Sequence, residues 1–233
     1  MPLLKSLRSL NWPGLVVELV LIFVGITAAL WFDNIKEDRE ARRTESQVLR
    51  ELVVSLHKDT ADLHQNLRSS AQTRQSIDTI LRYFDERRPY REDLAAHFRR
   101  SSLFTNFLQN PGVYEYLKSI GLSTITDGSL RAGIAEYYEY RVPYLRNIEA
   151  LFLNGNWSDG MRPQMMEKFS YRFFFGPAVP HDYAALATDR RYRTLLETTK
   201  EILEWKDDRS SEVLDNAEAL LVQIEGYLTR RGR

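Results

Sequence analysis

The chain contains no cysteine. That removes disulfides, thiolate nucleophiles and cysteine-ligated metals, and it suits an oxidising compartment without requiring one. Neither sign of charge is in surplus, since 32 Lys and Arg face 32 Asp and Glu. Setting aside Lys5, Arg8 and Glu18 leaves 30 basic and 31 acidic residues from Asp33 onward. A nucleic-acid partner ordinarily demands a basic excess to neutralise phosphates, so no such partner is expected. Glycine and proline are also sparse, at 11 and 8 in 233 residues, and neither occurs between Asp33 and Arg88. A stretch of that length without a breaker reads as helix.

Long apolar runs are lacking too, with one exception. Pro13 to Phe32 is twenty residues in which only Glu18 is charged. At about 1.5 Å of rise per residue, that length covers a bilayer core of roughly 30 Å. Trp12 and Trp31 stand at its two ends, where amphipathic rings favour the headgroup layer. A cleaved signal peptide is the competing reading, with Lys5 and Arg8 as its basic start and Thr27-Ala28-Ala29 as its small-residue site. The apolar run continues past that site through Leu30, Trp31 and Phe32, so a retained anchor is expected. Across the span, Lys5 and Arg8 face Lys36, Arg39, Arg42 and Arg43, and a raw count of cations would put the C-terminal side inside. A short basic tail before a first span usually stays in the cytoplasm. The expectation is therefore a single-pass protein of the bacterial inner membrane with a periplasmic domain.

The expected fold class is all-α. It consists of a basic tail (1–12), one transmembrane helix (13–32) and an elongated antiparallel helical bundle (33–233). Leu49, Leu52, Leu56, Leu63, Leu67, Ile77, Leu81 and Phe84 fall at helical spacing and predict one apolar stripe, which Thr60, Ser70 and Arg74 interrupt. A break is expected near Asp33-Asn34, and Arg87-Arg88-Pro89 should end the helix. A short helix is expected next, with Leu94, Phe98, Leu103, Phe107 and Leu108 inward. Val113 to Ile120 should be helical until Gly121. Asp127-Gly128-Ser129 should open a helix that Pro143 kinks and Asn154-Gly155-Asn156 closes. Residues 155–187 read as irregular and aromatic-rich, with room for one short strand. Thr188-Asp189 should start the last helix, whose simplest partner is the long first one, antiparallel.

Two blocks of residues resemble a known family. The first is Glu18-Leu-Val-Leu-Ile-Phe-Val-Gly25-Ile-Thr-Ala-Ala-Leu30, followed by Asn34, Glu37, Arg39, Arg42-Arg43 and Leu49-Arg-Glu-Leu52. The second is Tyr114-Glu-Tyr-Leu117-Lys-Ser-Ile-Gly121-Leu, followed by Ile125, Asp127, Leu130-Arg131 and Tyr137-Tyr138. In that order they resemble a family of bacterial single-span membrane proteins of unknown function, over roughly the first 140 residues. Trp31-Phe32-Asp33 departs from the more usual polar-Ile-Asn run of that family, and residues 155–187 lie outside the likeness. What the resemblance implies is membrane attachment and a helical domain, and it implies no activity.

Chemistry-bearing constellations are few. Glu18 shares a helical face with Ile22, Gly25 and Ala29, and a carboxylate two turns inside a bilayer costs a few kcal/mol unless protonated or paired. Gly25-x-x-x-Ala29 is a small-xxx-small pattern for close helix approach. Glu18 therefore reads either as glue between spans or as a proton-handling carboxylate. His57 and His64 are seven apart on one helix, about 10 Å, too far to share a metal. With no Glu-x-x-His pair, His97 and His181 add nothing to them, and neither a metal nor a cofactor is expected. No nucleophile elbow and no Gly-rich phosphate loop is present. Tyr171, Phe173, Phe174 and Phe175 form either a partner surface or a cap on the bundle. The leading expectation is a non-enzymatic module acting as partner binder, scaffold or sensor. Its partners would be the lipid bilayer and either copies of itself or another membrane protein. The alternatives are a subunit of a proton-coupled membrane machine using Glu18 and, more weakly, an enzyme with its site in 155–187.

Overall fold

A computed structural model describes residues 12–170 and 176–231, with side chains from residue 16. The basic tail, the ring of Trp12 and the aromatic run Tyr171 to Phe175 lie outside the described residues. Helix dominates, and among the described residues the strands amount to one pair of two residues each, so the all-α class holds. The chain divides into two compact units, Met1–Gln47 and Val48–Arg233.

The first helix, α1, is assigned over Trp12–Asp85 and contributes to both units. Within the first unit it passes Asp33-Asn34 without the break expected there. No glycine or proline follows to interrupt the ladder, and Lys36 and Glu40 lie 3.9 Å apart one turn on. The end of α1 comes three residues earlier than Arg88. Arg87 adopts a left-handed φ of +50°. The Arg87 N–H then donates to Phe84 O and the Arg88 N–H to Tyr83 O, the two bonds of a Schellman stop, with Pro89 following.

Helix α2 spans Leu94–Ser101 and α3 spans Gly112–Ile120. Gly121 ends α3 at φ +95°, a conformation glycine adopts without a Cβ penalty. Helix α4 (Gly128–Ala135) opens on Asp127, whose Oδ1 accepts from the Ser129 and Leu130 N–H groups. Helices α5 (Val142–Leu151) and α6 (Arg162–Lys168) each follow a π-helical turn, Glu136–Arg141 and Phe152–Met161. The prolines explain the positions of these turns. Pro143 and Pro163 have no N–H to donate, and their rings crowd the carbonyl four residues back, which a widened turn moves aside. Asn154-Gly155-Asn156 consequently continues the helix instead of closing it. The segment 155–187 is mostly helical, against expectation. It runs through α6 into β1 (Phe169–Ser170), pairs antiparallel with β2 (Val179–Pro180), and re-enters helix at α7 (Tyr183–Ala187). The last helix, α8, covers Arg190–Arg231, with Asp189 Oδ1 accepting from the Arg191 and Tyr192 N–H groups.

Cross-helix contacts between α1 and α8 run in opposite order, as an antiparallel pair requires. Asp85 meets Arg193, Asp78 meets Lys200, Arg74 meets Asp207, His64 meets Glu218 and His57 meets Glu225. The second unit has two apolar cores. One gathers Leu49, Leu52, Leu56 and Leu63 of α1 with Leu117, Ile134, Leu145 and Ile224. The other gathers Ile77 and Ile80 with Phe98, Met165, Tyr192 and Leu203. Along α1 and α8 the residues between these cores are polar and nevertheless buried: Asn66, Ser70 and Thr73 on one helix, Lys206, Asp207 and Ser210 on the other.

Candidate functional site

Glu18, Ile22, Gly25 and Ala29 lie on α1 in the first unit, all exposed. A Cβ added at Gly25 would meet nothing within 4 Å, so no packing among the described residues accounts for that glycine. Trp31 is exposed as well, its ring 5.3 Å from that of Phe32. Tyr171, Phe173, Phe174 and Phe175 fall outside the described residues.

The polar waist between the two cores joins α1, α5 and α8 to one irregular segment through buried side chains. Residues 102–111 form no regular structure, and Leu103 and Leu108 are 39% and 76% exposed rather than inward as expected from the sequence. The backbone of this strap is held by side chains. Asp59 Oδ1 accepts from the Asn110 N–H at 2.9 Å, and Asp62 Oδ2 accepts from the Leu108 N–H at 2.9 Å. Glu149 Oε1 of α5 accepts from the Phe107 N–H at 2.9 Å. In the other direction Ser55 Oγ donates to Asn110 O, Asn66 Nδ2 to Asn106 O, Lys206 Nζ to Thr105 O and Trp157 Nε1 to Ser102 O. An irregular segment against a core would otherwise leave these amides and carbonyls unpaired.

Desolvation is the price of that arrangement. Burial pushes the carboxyl of Asp59, which has no exposed surface, up to about 6 from 3.8, although the Asn110 N–H and the Tyr137 hydroxyl both favour its anion. The Tyr137 phenol, 3.0 Å from Asp59 Oδ2, is pushed upward by its own burial and by that carboxylate. Glu149 is likewise raised by burial, which outweighs the Lys206 ammonium 3.5 Å away. Asp207 is raised by burial too, against the pull of Ser70 and Arg74.

Ser55, Asp59, Asp62 and Asn66 recur at spacings of four, three and four on α1, beside the apolar stripe. Among the other polar helical residues these four do not stand out one by one in the sequence. The detectable signal was a second stripe, polar and of the same period as the first.

A second feature is a cleft of about 630 Å³ bordered by Gly155, Asn156 and Gly160 of the second π turn and by the first three turns of α8. Of the histidines, His57 and His64 face glutamates on α8, and His97 Nδ1 lies 3.1 Å from Ser76 Oγ. Among the described residues no three His, Asp or Glu side chains converge in a way that could hold a metal ion. Comparison of the chain with protein-family models, with curated proteins and with solved structures returned no match.

Proposed function

We propose that the protein is a single-span, membrane-anchored helical module that works by contact rather than catalysis, as a partner binder, scaffold or sensor. What carries this is the apolar stretch of α1, long and apolar enough to cross a membrane, with none of it buried within the chain. A core helix of a soluble protein would bury such a surface against its own chain. Here Leu19, Phe23 and Phe32 are 70%, 69% and 65% exposed, and each square ångström of apolar surface left in water costs about 25 cal/mol. A bilayer covers that surface, and Trp31 suits its boundary. The likeness of residues 18–52 and 114–138 to a family of bacterial single-span membrane proteins supports the same assignment. We place it in the bacterial inner membrane, with residues 33–233 in the periplasm.

The test is a pair of reporter fusions at Arg233, one active only in the cytoplasm and one only outside it, combined with carbonate extraction of membranes. The expected result is resistance to extraction and activity of the external reporter alone. Release by carbonate removes the anchor, and activity of the cytoplasmic reporter reverses the orientation. A second reading, a subunit of a proton-coupled machine, is favoured by one observation: Glu18 lies on the exposed apolar stretch, and no described residue bonds it. Glu18→Gln should abolish function under that reading and leave a scaffold nearly unchanged.

A further inference from the structure

The cleft beside the start of α8 has a composition that selects a ligand class. Its lining is Gly155, Asn156 and Gly160 on one side and, on α8, Arg190, Arg191, Thr194, Leu195, Thr198 and Ile202. We propose that this cleft binds a small amphiphilic anion, a carboxylate or phosphate head on a short single alkyl chain. The site lies wholly within the second unit and stands whether or not residues 13–32 cross a bilayer.

Charge sets the head group. No acidic residue lines the cleft, and among the described residues the guanidinium groups of Arg190 and Arg191 have no hydrogen-bond or ion-pair partner, the Arg191 backbone N–H alone bonding Asp189. Three acids near the start of α8 are engaged elsewhere. Asp189 bonds Lys168 and caps α8, while Asp85 and Glu197 both bond Arg193. Two adjacent free guanidiniums present forks that match the oxygens of a carboxylate or phosphate. The positive end of the α8 dipole adds to their field.

The hydroxyls and the floor set the rest of the ligand. The hydroxyls of Thr194 and Thr198, one turn apart, have no hydrogen-bond partner among the described residues. Thr199 beside them donates to Leu195 O and contacts Asn156 Oδ1, fixing the opposite wall. The floor is apolar, made by Leu195 and Ile202 against the glycines of the π turn. A Cβ at Gly160 would lie 2.8 Å from Leu195 Cδ1, so any side chain there would push Leu195 off the floor. The volume falls within the roughly 300–1,000 Å³ usual for small-molecule sites, which are mostly apolar with a few placed polar groups. A bare inorganic ion would leave that floor in water.

The test is calorimetric titration of the full chain in phosphatidylcholine nanodiscs with octanoate, octyl phosphate, inorganic phosphate and octanol. Saturable binding of octanoate or octyl phosphate, one per chain, is expected, with inorganic phosphate and octanol at least tenfold weaker. Arg190→Gln with Arg191→Gln should weaken binding at least tenfold, and Thr198→Phe should abolish it by filling the cleft. Arg190, Arg191 and Thr198 are exposed, and unchanged circular dichroism of each variant confirms its fold. The proposal is overturned if neither chain-bearing anion saturates, if inorganic phosphate binds as tightly, or if the double arginine variant binds like the parent. Repeating the titration in discs that contain phosphatidylglycerol separates the sources. Undiminished octanoate affinity supports a soluble single-chain anion, and displacement by the lipid overturns it.

Discussion

At the scale of single residues, Asp59 is a carboxylate whose burial the fold tolerates for the sake of one amide and one phenol. Its folded value of about 6 exceeds the 3.8 of an exposed aspartate, so protonation favours the folded state. The stabilisation from this group is complete below 3.8 and is lost as pH rises through 6. At pH 7.5 the ionised side chain therefore costs the fold ~3 kcal/mol. Protonation does not dismantle the contacts. Oδ1 still accepts from the Asn110 N–H, and the carboxyl proton reverses the bond to Tyr137 so that Asp59 donates. Asparagine reproduces that protonated pattern without the charge. Asp59→Asn should therefore raise stability at pH 7.5 by about 1–3 kcal/mol and change it little at pH 4. Denaturant unfolding at both values checks this, and a variant destabilised at pH 7.5 contradicts it. Asp59 was invisible in the sequence as a special residue, because a lone Asp among helical charges looks solvated until a partner segment is known to cover it.

At the scale of elements, the sequence was most legible where one residue type has one job. Asp127 as a cap, Gly121 as a stop and Asp189 as the start of α8 act through their own backbone neighbours, so spacing alone locates them. It was least legible where tertiary context overrides local punctuation. Gly155 and Pro163 announce breaks, yet π turns absorb them and the helix goes on. Conversely, Leu103 to Leu108 looks amphipathic and helical, and α1, α5 and α8 instead hold it as a strap through its own backbone. That strap allows an element-scale prediction. The amides of Phe107, Leu108 and Asn110 should exchange slowly with solvent deuterium despite belonging to no helix or strand, because each donates to a carboxylate. Lys206→Met keeps the aliphatic stem but leaves Glu149, at 5% side-chain exposure, without its counter-ion. Removing one partner of a buried pair costs about 3–5 kcal/mol. Hydrogen-exchange mass spectrometry should show protection lost first over residues 102–111 in that variant. Fast exchange there in the parent chain would contradict the side-chain clamp.

At the scale of the whole molecule, the two units answer different questions. The waist of the second unit draws its hydrogen bonds and ion pairs from that unit's own backbone and side chains, whereas the exposed face of the first has Glu18 and two small residues that no contact among the described residues explains. Gly25 is the sharper probe of the pair, because a Cβ added there meets nothing within 4 Å among the described residues beyond its own helical turn. Gly25→Leu should leave the melting of the second unit unchanged, so any effect of the substitution reports on something outside the chain. In a bilayer, Gly25 and Ala29 leave a groove that a second helix can enter, and a carboxylate at Glu18 gains from a partner that can share its proton or bond it. The expected outcome is that mass measurement of the intact protein, extracted gently into detergent, finds a homo-oligomer or a complex with another membrane protein. Gly25→Leu should shift that population toward monomer by blocking close approach, and Glu18→Gln, which can still hydrogen-bond across an interface, should shift it less. A monomer without companion in the parent chain, unchanged by Gly25→Leu, would reduce the first unit to a tether and leave the strap and the cleft of the second unit as the places where function must be sought.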